Sequence, residues 1–154
     1  MSRRTQIRMT PEEVTAFLAE GRVASVATIG PNGRPHVVPL WYVPRGSTLV
    51  TWTYGSSQKA KNLRRLAQAT VLVEDGESYE ELRGVSMECD VELVEDGEQV
   101  ALIGTELMRR YGGNQEVATA ATQFVRLQAP KRVGLVYTPT DVVSWDHRKL
   151  GGTY

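Results

Sequence analysis

Two β-branched runs, residues 22–29 and 36–43, flank the turn Pro31-Asn32-Gly33, and this pattern commits the chain to antiparallel sheet. Because residues 36–43 are apolar at successive positions, the second run is expected to be buried on both faces. Residues 47–54 form a third strand, with Leu49, Thr51 and Thr53 on one face and Val50, Trp52 and Tyr54 on the other. Further strands are predicted at 70–74, at 83–94, and at 132–138 and 142–146, the last two broken by Pro139. Helices interrupt this series. Thr10, Pro11 and Glu13 form a capped helix start, Val14, Phe17 and Leu18 its inner stripe, and Gly21 its stop. Ser56 and Ser57 cap a second helix that runs to Leu66. Asp96-Gly97 opens a third, with Val100, Ile103, Leu107 and Tyr111 at helical spacing and Gly112-Gly113 at its close; a weaker helix follows at 115–127. The glycine-rich tail, 149–154, is expected to be extended. Strands dominate and do not alternate regularly with helices. The expected fold is therefore mainly β (α+β): an antiparallel barrel with peripheral helices, in a single domain over 1–154.

Composition narrows the functional classes. Lys plus Arg and Asp plus Glu number 18 each, so there is no basic excess for bulk nucleic-acid binding, and any anion site must be local. Residues 1–8 lack the apolar core of a secretory signal, and no apolar run reaches the roughly 18 residues of a spanning helix. The expectation is a cytoplasmic protein with no membrane or nucleic-acid partner. One cysteine, Cys89, and two histidines, His36 and His147, without metal-ligand spacing, argue against a metal site. Redox chemistry would have to come from a bound organic cofactor.

Local charge is uneven. Residues 56–66 carry Lys59, Lys61, Arg64 and Arg65 and no acid, whereas residues 74–98 carry eleven acids against Arg83 alone. The acidic stretch reads as a solvated face and charged strand edge. Gly55-Ser56-Ser57-Gln58-Lys59 puts hydroxyls, free backbone N–H groups, the positive end of a helix dipole and a lysine together, as a phosphate cradle requires. The competing reading is a capped surface helix with solvated lysines. Trp41-Tyr42 and Trp52-Thr53-Tyr54 offer aromatic strands against which a planar ring could lie, or they fill a barrel core. Pro39, in mid-strand, removes a ladder donor and suggests a bulge or a ligand-facing gap. No Ser, His and acid grouping is recognisable, so the catalytic residues stay unassigned. Both histidines read as structural, and Cys89 as a small buried hydrophobe.

The succession VASVATIGPNGRPHVVPLWYV, LVTWTYGSSQKAKNLRR and VEDGESYEELRGVSMECDVELV resembles the flavin and deazaflavin oxidoreductases built on the pyridoxamine-phosphate-oxidase-like, FMN-binding split β-barrel. The ending VVSWDHRKLGG is similar to that of the actinobacterial branch using coenzyme F420, a deazaflavin with a phosphate and a glutamate tail. The resemblance implies an F420-dependent oxidoreductase acting on a small organic molecule with an electron-poor double bond. It also implies a homodimer with two cofactor sites shared between chains. Carried over by position, Pro39 and Trp41 line the ring pocket and Trp52 and Thr53 flank it. Ser56, Ser57, Lys59 and Asn62 hold the phosphate and linker, and Gly76 and Ser78 border the cofactor. Some relatives have arginine where this chain has Ser57, which shifts weight onto Lys59. The alternatives are FMN or a tetrapyrrole in the same fold, or a carrier that holds cofactor without turnover.

Overall fold

The computed structural model describes residues 2–113 and 115–152. Seven strands, β1 (Ala24–Ile29), β2 (Pro35–Leu40), β3 (Val43–Arg45), β4 (Thr48–Tyr54), β5 (Gln68–Asp75), β6 (Arg83–Val94) and β7 (Arg132–Asp146), form one antiparallel sheet in the order β2-β1-β5-β6-β7-β4-β3. Ala24 and Val26 near one edge, Leu49 near the other, and Val71, Val85, Met87 and Leu135 between them share one buried cluster. A sheet whose distant strands meet in one core must curl, and this is the split barrel anticipated above. The five helices are α1 (Arg3–Gln6), α2 (Pro11–Glu20), α3 (Gln58–Arg65), α4 (Gly97–Tyr111) and α5 (Gln115–Gln128). None of those described is long and apolar enough to cross a membrane.

The α2 capping box forms as its sequence dictates: Thr10 Oγ1 accepts from Glu13 N at 3.2 Å, and Thr10 N donates to Glu13 at 2.7 Å. Phe17 and Leu18 are buried beneath the helix. On the outer face of the sheet, α4 lies close over β4 and β7 because a glycine stands at each of two contacts, Gly104 on the helix and Gly134 on β7. A Cβ on Gly104 would stand 2.5 Å from the Trp52 ring, and one on Gly134 would stand 2.4 Å from Ile103.

Five expectations are corrected. The second strand is an edge, its side chains alternating exposed and half-buried with Val37 59% exposed, because only β1 pairs with it. Pro39 sits on that edge in an unbroken register, opposite Ser25, so the proline needs no bulge. Residues 132–146 form one strand: Pro139 is absorbed by a register shift against Glu88 and Cys89. The acidic stretch is a solvated face but no edge, since β6 is central and exposes Glu88, Asp90 and Glu92 while burying Met87, Cys89 and Val91. The tail is turned rather than extended through residue 152. His147–Leu150 form a 3-10 turn, Gly151 takes φ +58, and Lys149 is tied to the Arg8 carbonyl at 2.9 Å; Thr153 and Tyr154 lie outside the described residues.

Candidate functional site

The site grows from the junction of β4 and α3. Ser57, in extended backbone, caps α3 by accepting from Ala60 N at 3.2 Å. Its Oγ also accepts from Thr53 Oγ1 at 3.3 Å, and Thr53 Oγ1 accepts from Lys59 Nζ at 2.7 Å. The Ser57 hydroxyl therefore keeps its proton for a further acceptor. Lys59 is 7% exposed and forms no ion pair among the described residues. Burial pushes its ammonium below the usual lysine range, and the charge of Arg132 pushes it the same way. An ammonium buried beside a second cation, with two donors in hand, is the chemistry of an anion site.

Arg132 opens β7 directly opposite Tyr54. Its guanidinium lies over the rings of Trp52 (4.5 Å) and Tyr54 (4.2 Å). The sequence reading missed this residue: nothing local distinguishes Arg132 from its neighbour Lys131, and only the β4–β7 pairing brings it here.

The expected residues fall into two groups. Thr53, Ser57 and Lys59 come together at the start of α3, with exposed Ser56 beside them. Asn62 is fully buried and braces the helix, accepting from Gln58 Nε2 at 2.8 Å and donating to Thr28 Oγ1 at 3.0 Å. Trp52 points to the outer face, under Gly104 and edge-on to Phe124. At the opposite end of the sheet, Gly76 takes φ +111 in the β5–β6 turn and exposed Ser78 precedes a 3-10 turn. Pro39 and Trp41 lie toward that end too, since Ser25 pairs with both Pro39 and Leu72. Trp41 is 54% exposed, with one ring face stacked on Tyr111 at 4.5 Å. The eight residues of β5 separate the α3 group from Gly76 by about 25 Å. His147 Nδ1 sits 2.9 Å from the Tyr79 carbonyl, a structural tie, while His36 Nδ1 is buried with no partner among the described residues. Cys89 is buried, its thiol pushed up to about 12, chiefly by desolvation.

A fold with a phosphate-ready helix start beside an aromatic-lined sheet defines a class of cofactor-binding split barrels. The pyridoxamine 5'-phosphate oxidase family model matches residues 10–146, and the chain belongs to that family. It is 36% identical to a conserved hypothetical protein from Mycobacterium tuberculosis, over 100% of this chain and 95% of the other, with a TM-score of 0.86. An F420H2-dependent biliverdin reductase of Mycobacterium tuberculosis is 31% identical over 90 residues, 56% of this chain and 66% of that protein, just under two thirds of its length. The solved structure of an F420 reductase is alike in fold, with a TM-score of 0.65 and 23% identity over 82% of this chain and 93% of the other.

Proposed function

We propose that this chain is a cytoplasmic, homodimeric oxidoreductase that binds coenzyme F420 and reduces an electron-poor double bond of a small organic substrate. The observation that carries the reading is Lys59, a buried ammonium with no carboxylate among its described neighbours, fixed to Thr53 and set at a helix N-terminus. These residues fit a phosphate. Lys59 supplies charge and two free donors, Ser57 a hydroxyl proton, and the start of α3 its dipole. The F420-dependent reductase among the relatives supports the deazaflavin over other phosphate-bearing groups.

The division of the site supports the dimer. Gly76 and Ser78 lie too far from Lys59 to serve the same cofactor within one chain, so each site joins the α3 group of one protomer to the β5–β6 turn of its partner. When bound, the reduced deazaflavin supplies a hydride. The chain's part is to hold the phosphate with Lys59 and Ser57, both positioned by Thr53, and to offer the exposed face of Trp41 as a stacking surface that excludes water from the ring.

Fluorescence titration with F420 tests this directly, run beside FMN and with sedimentation at the same protein concentration. Saturable F420 binding by a dimer, followed by reoxidation of the bound reduced coenzyme by an enone or quinone, is the expected result. Tighter binding of FMN would replace the cofactor. A bound coenzyme that no acceptor reoxidises would identify a carrier, and a stable single-chain species would remove the shared site.

A further inference from the structure

We propose that Arg132 is a second anion-binding residue, taking the carboxylates of the cofactor's glutamate tail while Lys59 takes the phosphate. The inference rests on the deazaflavin reading above. Its starting point is the state of this arginine. Arg110, over the rings of Tyr42 and Tyr111, shares the buried, acceptor-free Nε, but Arg110 spends its Nη2 on the carbonyls of Ala19 and Gly21. Arg45 is paired with Glu106, Arg64 with Glu95, Arg83 with Glu20 and Asp75, and Arg148 with Asp146. Arg132 has no carboxylate partner among the described residues. Among the described residues its guanidinium makes one hydrogen bond, a long one of 3.4 Å from Nη2 to Gln128 Oε1, and its Nε is buried with no acceptor.

The aromatic contacts explain how such a cation is held in place. Rings of Trp52 and Tyr54 at 4.5 and 4.2 Å fix the guanidinium through its π faces, which leaves its in-plane N–H edge for a ligand. That edge is the part that recognises a carboxylate in two-pronged fashion.

Register then separates Arg132 from Lys59. Thr53 and its partner Lys59 lie on the inner face of β4, whereas Trp52, Tyr54 and Arg132 lie on the outer face. The two cations flank the end of one strand and are near enough for the charge of Arg132 to act on Lys59. Because they approach from opposite faces of the strand, they suit a ligand with two anionic groups joined by a linker. A phosphate followed by a carboxylate tail has that form, and FMN, with its single phosphate, does not.

The test is a binding titration of the full-length protein with F420 and with the same coenzyme stripped of its glutamates. Wild type should bind the tailed form about ten-fold or more tightly than the stripped form, and 0.5 M salt should erase the preference. Arg132→Gln should lose about ten-fold in affinity for the tailed form and little for the stripped form, with Arg132→Lys in between. Retained binding of the stripped form also shows that the variant is folded. Equal loss for both forms, no loss for either, or a wild type indifferent to the tail would overturn the inference while leaving the deazaflavin reading intact. A wild type that binds neither form would bring down that reading, and this inference with it.

Discussion

At the Gly76 end of the sheet, Arg83 lies 4.9 Å from the centre of the Phe17 ring and donates to Glu20 at 3.0 Å and Asp75 at 2.8 Å. At the α3 end, Arg132 also lies over aromatic rings, and Lys59 is more deeply buried than Arg83, yet neither cation meets a carboxylate among the described residues. Ring contact and burial are common to both clusters, so neither marks a ligand site. What separates them is charge balance. A cation neutralised by the chain's own acids completes the fold, as does Arg110 through the carbonyls of Ala19 and Gly21, while one that meets neither keeps its capacity for an anion from outside.

The sharpest way to break this contrast is Lys59→Ala. Losing a charge-assisted hydrogen bond of about 1.5 to 3 kcal/mol should raise the dissociation constant for F420 about ten- to a hundred-fold, as read by fluorescence titration. Unchanged affinity would make the α3 start an ordinary helix cap. Packing offers a second contrast of similar size. Gly84, next to Arg83, would place a Cβ 2.2 Å from the Trp145 ring, so Gly84→Ala should cost about 1 to 3 kcal/mol in chemical denaturation. At the other end, a Cβ on Gly55 meets nothing nearer than Val133 at 3.5 Å, and Gly55→Ala should change stability by less than about 0.5 kcal/mol.

Arg83→Ala should cost only about 1 kcal/mol, because both carboxylates it pairs with are largely solvent-exposed. Its pH dependence is diagnostic. The Arg83 hydrogen bond holds the Asp75 carboxyl below its usual 3.8, so the stabilisation is present above that value and is lost as pH falls through the lower, folded-state value. The wild-type advantage over Arg83→Ala should thus shrink in strong acid. At Lys59 stability also rises with pH, but there the pH-dependent quantity is a cost rather than a gain. Its ammonium is depressed from 10.5, so the cost of burying the charge is present at neutral pH and relieved as pH rises toward 10.5. Lys59→Met should therefore melt higher than the ligand-free wild type at pH 7, and the gap should close on the alkaline side.

Much of the α3 site was readable in advance. The serine before Gln58-Lys59 caps the helix as a serine does wherever backbone N–H groups are unpaired, and Lys59 follows from the spacing. Its burial was not readable, because it depends on Thr53 and the strands beneath the helix; among the lysines of α3, Lys61 is the solvated one. The resemblance gives Asn62 to the cofactor's phosphate and linker; what the fold adds is that its amide joins α3 to β1 through Thr28. The resemblance has Trp52 flank the ring pocket, and the tertiary structure puts its side chain on the outer face beneath α4.

Local order was determined by the sequence alone, because capping, turn formation and two-residue alternation act over a few neighbouring residues. The Thr10–Glu13 box, the Gly33 turn with φ +76 and the full span of β6 follow from such short-range rules. Tertiary structure decided which strand stands at an edge and which residues meet across the sheet. Residues 36–43 are apolar enough for a central strand, but β1 has β5 on its other side, so β2 has a single neighbour and Val37 faces out. Arg132 joins Trp52 and Tyr54 only because β7 pairs with β4, a contact between distant parts of the chain that no local preference encodes.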